Sequence, residues 1–142
     1  MPDTRIAYGS VISSDFPLTR LPVGVLGSPA DIVIQTTYAE AAAHSDERFF
    51  HRKRRACGVS YSAGGVGEFV IDDGGRRISA TLEPNASQID VEHILTGPAL
   101  TMALQLQGRF ILHAACFEYQ GGLFAISAPH AYGKSTLAAS FL

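Results

Sequence analysis

The stretch with the plainest chemistry is Ser127-Ala128-Pro129-His130-Ala131-Tyr132-Gly133-Lys134-Ser135-Thr136. A phosphate cradle needs backbone N–H groups turned inward, a lysine that reaches the β- and γ-phosphates, and a hydroxyl that can ligate magnesium. The pattern G-x-x-x-x-G-K-[ST], set between a strand and the start of a helix, is met here at Gly133, Lys134 and Ser135. Ala128 stands in the place of the first glycine, which removes backbone freedom but adds little bulk. The ordinary alternative is a strand-to-helix turn that happens to contain Gly-Lys-Ser-Thr.

Other chemistry-bearing residues are weaker candidates. His113 alternates with Ile111, Ala115 and Phe117 as if on one strand face, where a core histidine is the plain reading. His44, His51 and His93 show no metal-ligand spacing, and Asp90, Glu92 and Glu118 show no spacing that suits acid–base work. The run Arg52-Lys53-Arg54-Arg55 suits either a solvated turn between strands or a guide for an acidic peptide or phosphate. Cys57 and Cys116 stand far apart, and each reads as a small buried hydrophobe in a reduced protein.

These residues must be positioned by a β-rich first part. Ile6, Tyr8, Val11 and Ile12 lie in a β-favouring run that Pro17 and Pro22 interrupt. The segment 31–38, Asp-Ile-Val-Ile-Gln-Thr-Thr-Tyr, predicts a strand. Segment 39–50 suits a short helix or a loop equally. From Gly58 to Pro84 the pattern is a meander, with Asp73-Gly74-Gly75 as a hairpin turn. Pro84 and the polar residues after it close this lobe near Ser87.

The period then changes. Val91, Ile94 and Leu95, followed by Leu100, Met102, Ala103, Leu104 and Leu106, recur at helical spacing. Asp90 is the expected N-cap and Gly108 the expected stop. Gly97-Pro98 is expected to split the run into a short and a longer helix, with Pro98 at the start of the second. Two apolar runs around Gln120-Gly121-Gly122 predict a buried hairpin, the second leading into the candidate loop.

Composition narrows the setting. The 142 residues are 46% hydrophobic and 17% charged, with net charge -2, which describes a folded globular chain. That charge and a pI of about 6.2 give no electrostatic reason to expect nucleic acid as a partner. Nine Lys/Arg and ten Asp/Glu precede Gln88; after it come Arg109 and Lys134 against Asp90, Glu92 and Glu118. No secretory start is present and no apolar run reaches the roughly 20 residues that span a bilayer, so the expectation is a cytoplasmic protein without a membrane partner. There is no internal repeat.

The segment from Gly108 to Leu142 resembles the start of the catalytic domain of the HPr kinase/phosphorylase family. It is most similar to the related serine kinases found beside peptide-modification genes, including lasso-peptide precursor kinases. A Leu-His-Ala element, a short hairpin and Gly-Lys-Ser-Thr carry the resemblance; segments 8–22 and 94–109 also look like that group's N-terminal lobe and connecting helix. The resemblance implies that Gly133, Lys134, Ser135 and Thr136 hold the phosphates of ATP, that Ser135 also meets Mg2+, and that His113 lies near the transferred group. It implies a hydroxyl of a small protein or peptide as acceptor. Ala128 and Ala131 replace glycines usual in the family, His130 a serine, and Tyr132 a small or aliphatic residue, with Pro129 between them. The family's Asp pair, expected one strand after the loop helix, is missing: no Asp or Glu follows Glu118.

The expected fold class is therefore α+β, with a β-rich N-terminal lobe over 1–87. Connecting helices, a β-hairpin and a P-loop that starts an incomplete nucleotide-binding domain would follow over 88–142. The expected function is that of an HPr-kinase-like serine kinase in a truncated, inactive form. The alternative is a non-catalytic peptide- or partner-binding module with a vestigial loop. An incomplete domain would expose apolar surface, so a homo-oligomer or a rearranged end is also expected.

Overall fold

The computed structural model describes residues 2–25, 27–40, 51–129 and 131–141, with the His51 side chain left out. Segment 41–50, which holds most of the undecided helix-or-loop stretch, lies outside the described residues, as does His130. The chain is mixed α+β and strand-rich, and it divides into two compact units, Met1–Arg109 and Phe110–Leu142.

The first unit is built on a seven-stranded mixed sheet. Its strands are β1 (Asp3–Ala7), β2 (Ser10–Ser14), β3 (Ile32–Tyr38), β4 (His51–Arg55), β5 (Gly58–Ala63), β6 (Gly67–Asp72) and β7 (Arg77–Leu82). In space they run β1-β2-β3-β7-β6-β5-β4. The β1–β2 hairpin is antiparallel, β3 lies parallel to both β2 and β7, and β7 back to β4 is an antiparallel meander. Alternation sets which face is buried. Ile78, Ala80 and Leu82 of β7 are buried while Arg77, Ser79 and Thr81 are exposed. In register with the buried set stand Ile34 of β3, Phe69 and Ile71 of β6, and Val59 and Tyr61 of β5.

Helices cover that face. α1 (Gln88–Ile94) runs without a break through a π segment (Leu95–Ala99) into α2 (Leu100–Leu106), which packs on β6 and β7. Pro98 therefore does not split the helix as the sequence suggested. Proline lacks an N–H and crowds the carbonyl four residues back, and a π turn, bonding i→i+5, relieves both faults without ending the helix. The extra residue also shifts the apolar stripe, so that Val91 before the π turn and Leu95 at its start share the buried face with Leu100 and Leu104 after it. Asp90 is not the N-cap: Ser87 is extended and precedes the first helical residue, leaving Asp90 in the first turn, where a carboxylate favours the helix dipole. The expected stop does hold. Gly108 has φ 81°, its N–H donates to Gln105 O at 2.9 Å, and the Arg109 N–H reaches Leu104 O at 3.0 Å, a paired C-terminal cap. The helices thus belong with the sheet, and the division between compact units falls after them rather than before.

The second unit holds an antiparallel hairpin, β8 (Ala115–Tyr119) and β9 (Gly122–Ile126), and the short helix α3 (Lys134–Ala139). Phe117 stacks on Phe124 at 5.6 Å and on Phe141 at 4.6 Å. The hairpin forms where expected but is not buried: Leu123 is 78% exposed, and Phe124, Leu137 and Phe141 are exposed too. Two strands and a helix of under two turns cannot enclose a core.

Candidate functional site

The candidate loop leaves β9 at Ile126 and enters α3 at Lys134, so the order strand, loop, helix is present. Gly133 sits in the left-handed region at φ 72° and ψ 19°, and its carbonyl accepts the Leu137 N–H at 2.8 Å. A Cβ at Gly133 would meet no atom within 4 Å, so glycine is required there for backbone angle and not for space. Ala131 is also left-handed, at φ 67°, a conformation that costs a non-glycine residue about 1 kcal/mol. The loop thus accepts a second left-handed turn two residues before Gly133 despite a side chain. Ala128 is half-buried, whereas Pro129, Ala131 and Tyr132 are exposed.

Lys134 is the chemical centre. Its ammonium folds back over the loop and donates to the carbonyls of Ala128 at 2.9 Å and Pro129 at 3.0 Å. One cation therefore ties the start of α3 back to the carbonyls five and six residues earlier. Ser135 and Thr136 follow with exposed hydroxyls at the start of α3. The residue types suit an anionic group bearing several oxygens: a cation and, next in sequence, two exposed hydroxyls. They do not by themselves fit phosphoryl transfer, which calls for carboxylates to hold magnesium and orient a nucleophile. In 110–142 the only carboxylate side chain is Glu118, exposed on β8. Among the described residues no group of three or more His, Cys, Asp or Glu could hold a metal ion.

His113 is placed differently from its sequence reading. It is exposed and lies in the irregular stretch before β8, so it is neither on a strand nor in a core. The strand starts only at Ala115 because pairing begins with Ala115 opposite Ile126. The His113 carbonyl accepts the Ser127 hydroxyl at 3.4 Å, which ties its backbone to the residue just before the loop. Both cysteines are exposed rather than buried, Cys57 in the turn between β4 and β5 and Cys116 on β8. Both hold hairpin positions that no second layer covers among the described residues.

The first unit contributes polar features whose partners the sequence did not show. Glu92 is only 6% exposed, and its carboxylate accepts the Arg20 N–H at 2.6 Å and the Thr19 hydroxyl at 2.9 and 3.1 Å. This clamps α1 onto the chain after β2. A cleft of about 330 Å³ is lined by Asp31, Gly74, Arg76, Gln107 and Arg109, but Asp31 already accepts the Val11 N–H and Arg109 donates to Tyr8 O. These contacts hold the hairpin and the helix end, which explains the cleft without a ligand. The basic run Arg52 to Arg55 forms a strand, β4, instead of a turn.

No family model, curated protein or solved structure matches the chain. Among the described residues no helix is long and apolar enough to cross a membrane.

Proposed function

We propose that the loop 128–136 binds the phosphates of ATP, and that the chain is part of an HPr-kinase-like serine kinase acting on a hydroxyl of a small protein or peptide. The observation that carries this reading is the Lys134 ammonium folded over the carbonyls of Ala128 and Pro129, with the exposed Ser135 and Thr136 next in sequence. Lys134 would move from neutral carbonyl acceptors to anionic phosphate oxygens, where attraction between opposite charges adds to a bond that the ammonium already strengthens. Ser135 would meet the Mg2+ that accompanies the nucleotide; when bound, that ion neutralises phosphate charge. Gly133 gives the chain the turn that brings Lys134 round, and His113, tied by its backbone to Ser127, flanks the same end of the loop.

The second reading, a binding module that does no chemistry, is favoured by one observation. The unit holding the loop offers no carboxylate beyond Glu118. Calorimetric titration of the chain with Mg-ATP and Mg-ADP, alongside Lys134→Ala, separates loop binding from its absence. Binding that weakens about tenfold or more in the variant supports the phosphate loop. Absence of binding by a folded protein, or equal binding by the variant, overturns it and leaves the module.

A further inference from the structure

We propose that the free edge of β4 is a docking site for an extended acidic peptide, which joins the sheet as an added strand. This goes beyond the nucleotide reading and stands whether or not the loop holds phosphate.

Position is the first element. β4 ends the sheet, pairing with β5 from His51 opposite Ser62 to Arg55 opposite Gly58, and its other edge faces no strand among the described residues. An open edge offers backbone N–H and C=O groups in strand register to any chain that can lie beside it. The second element is charge. Arg52, Lys53, Arg54 and Arg55 are all exposed. Register puts Arg52 and Arg54 opposite Tyr61 and Val59, on the helix-covered face, and Lys53 and Arg55 opposite Ser60 and Gly58, on the other. Positive charge therefore flanks the edge on both faces. Glu68 pairs with Arg55, and Arg52, Lys53 and Arg54 have no ion-pair partner among the described residues.

One charged residue is enough to keep an edge from pairing with copies of itself. Four in succession repel a second copy of this chain strongly, yet leave the backbone ladder open to a strand of opposite sign. Acidic side chains on both faces of an incoming strand would each find a cation across the pair. A nucleic acid could answer the charge but not the ladder, since its backbone has no donors in strand register. The two features together select a polypeptide.

The test uses the full chain and a short fluorescein-labelled peptide alternating Glu with Val and Thr, followed by fluorescence anisotropy at low and moderate salt. The expected result is saturable binding that weakens with salt, with slower hydrogen exchange at the β4 amides. The same peptide methylated at every backbone nitrogen keeps the charge and loses the donors, so it should bind about tenfold more weakly or worse. Arg52→Gln with Arg54→Gln should weaken the unmethylated peptide by a similar factor, about tenfold. The methylated probe needs no variant, so a misfolded double variant cannot hide the answer. Failure of the acidic peptide to bind, equal binding by the methylated form, or tighter binding of a single-stranded oligonucleotide of equal charge would each overturn the proposal.

Discussion

Replacing Glu92 tests whether a buried carboxylate holds α1 to the chain between β2 and β3. Its two donors are the Arg20 N–H at 2.6 Å and the Thr19 hydroxyl, which straddles both oxygens. Hydrogen bonds to a charged acceptor contribute about 1.5–3 kcal/mol each, so the gross loss in Glu92→Ala is about 3–6 kcal/mol. Two effects reduce it. Removing the carboxylate also removes the cost of having buried it, and Thr19 and Arg20 are exposed, so water takes over part of the lost bonding. The net expectation is about 1–2 kcal/mol.

Glu92→Gln should cost less, about 0.5–1 kcal/mol, because the amide oxygen still accepts from Arg20 and the amide nitrogen can donate to the Thr19 oxygen. Thr19→Ala combined with Glu92→Ala should cost clearly less than the sum of the two, by about 1 kcal/mol, since each single change already breaks their shared bond. Urea unfolding read by hydrogen exchange at β3 and β7 amides reports on the first unit without contribution from the second. A Glu92→Ala loss below about 0.5 kcal/mol, or strict additivity with Thr19→Ala, would refute the clamp.

Two further outcomes concern groups elsewhere. Burial works against ionisation of Asp3, but hydrogen bonds from Arg5 and from the Leu18 N–H, with the guanidinium charge beside it, outweigh burial and hold its carboxyl below the ordinary 3.8. A depressed folded pKa means stability that is present above the ordinary value and lost as pH falls through the lower folded one; Asp3→Asn should therefore lower stability at neutral pH and flatten the acid limb, read as urea midpoints across that range. The exposed thiols of Cys57 and Cys116 should both react with a thiol reagent in the native protein, and a signal that appears only after unfolding would contradict their placement.

Local pattern made much of the first unit legible. β-branched density marked β3, the Asp73-Gly74-Gly75 turn marked the β6–β7 hairpin, and Gly108 marked the helix stop, because each rests on contacts a few residues apart. The parallel pairing of β3 with both β2 and β7 was not legible. It joins residues 20 positions apart on one side, Ile12 with Ile32, and 44 apart on the other, Ile34 with Ile78, and nothing in any of these strands names its neighbour. The helix start and Pro98 were misread for another reason. Asp90 is a good capping type and Pro98 a good helix breaker, but the core decides. A π turn lets Leu95 and Leu100 both reach the sheet face, which outweighs the preference of one proline. His113 was misjudged because alternation was extended past the point where pairing begins.

The charge distribution that first set Lys134 apart acquires a physical meaning in the structure. The second unit has one cationic side chain, Lys134, excluding histidine, and one carboxylate, Glu118. Lys134 donates to loop carbonyls and forms no ion pair among the described residues. A lysine held by neutral acceptors keeps its full charge available, whereas one held by a carboxylate must give up that partner before it can meet an anion. The same logic separates the two proposed sites. At β4 one of four cations is already answered, by Glu68, and the remaining three are spread along a ladder, which suits a long acidic partner. At the loop a single cation without an ion-pair partner among the described residues precedes two exposed hydroxyls in sequence, which is why a compact anion is proposed there. Each site follows from the same observation, positive charge left unpaired where the backbone itself can also bind.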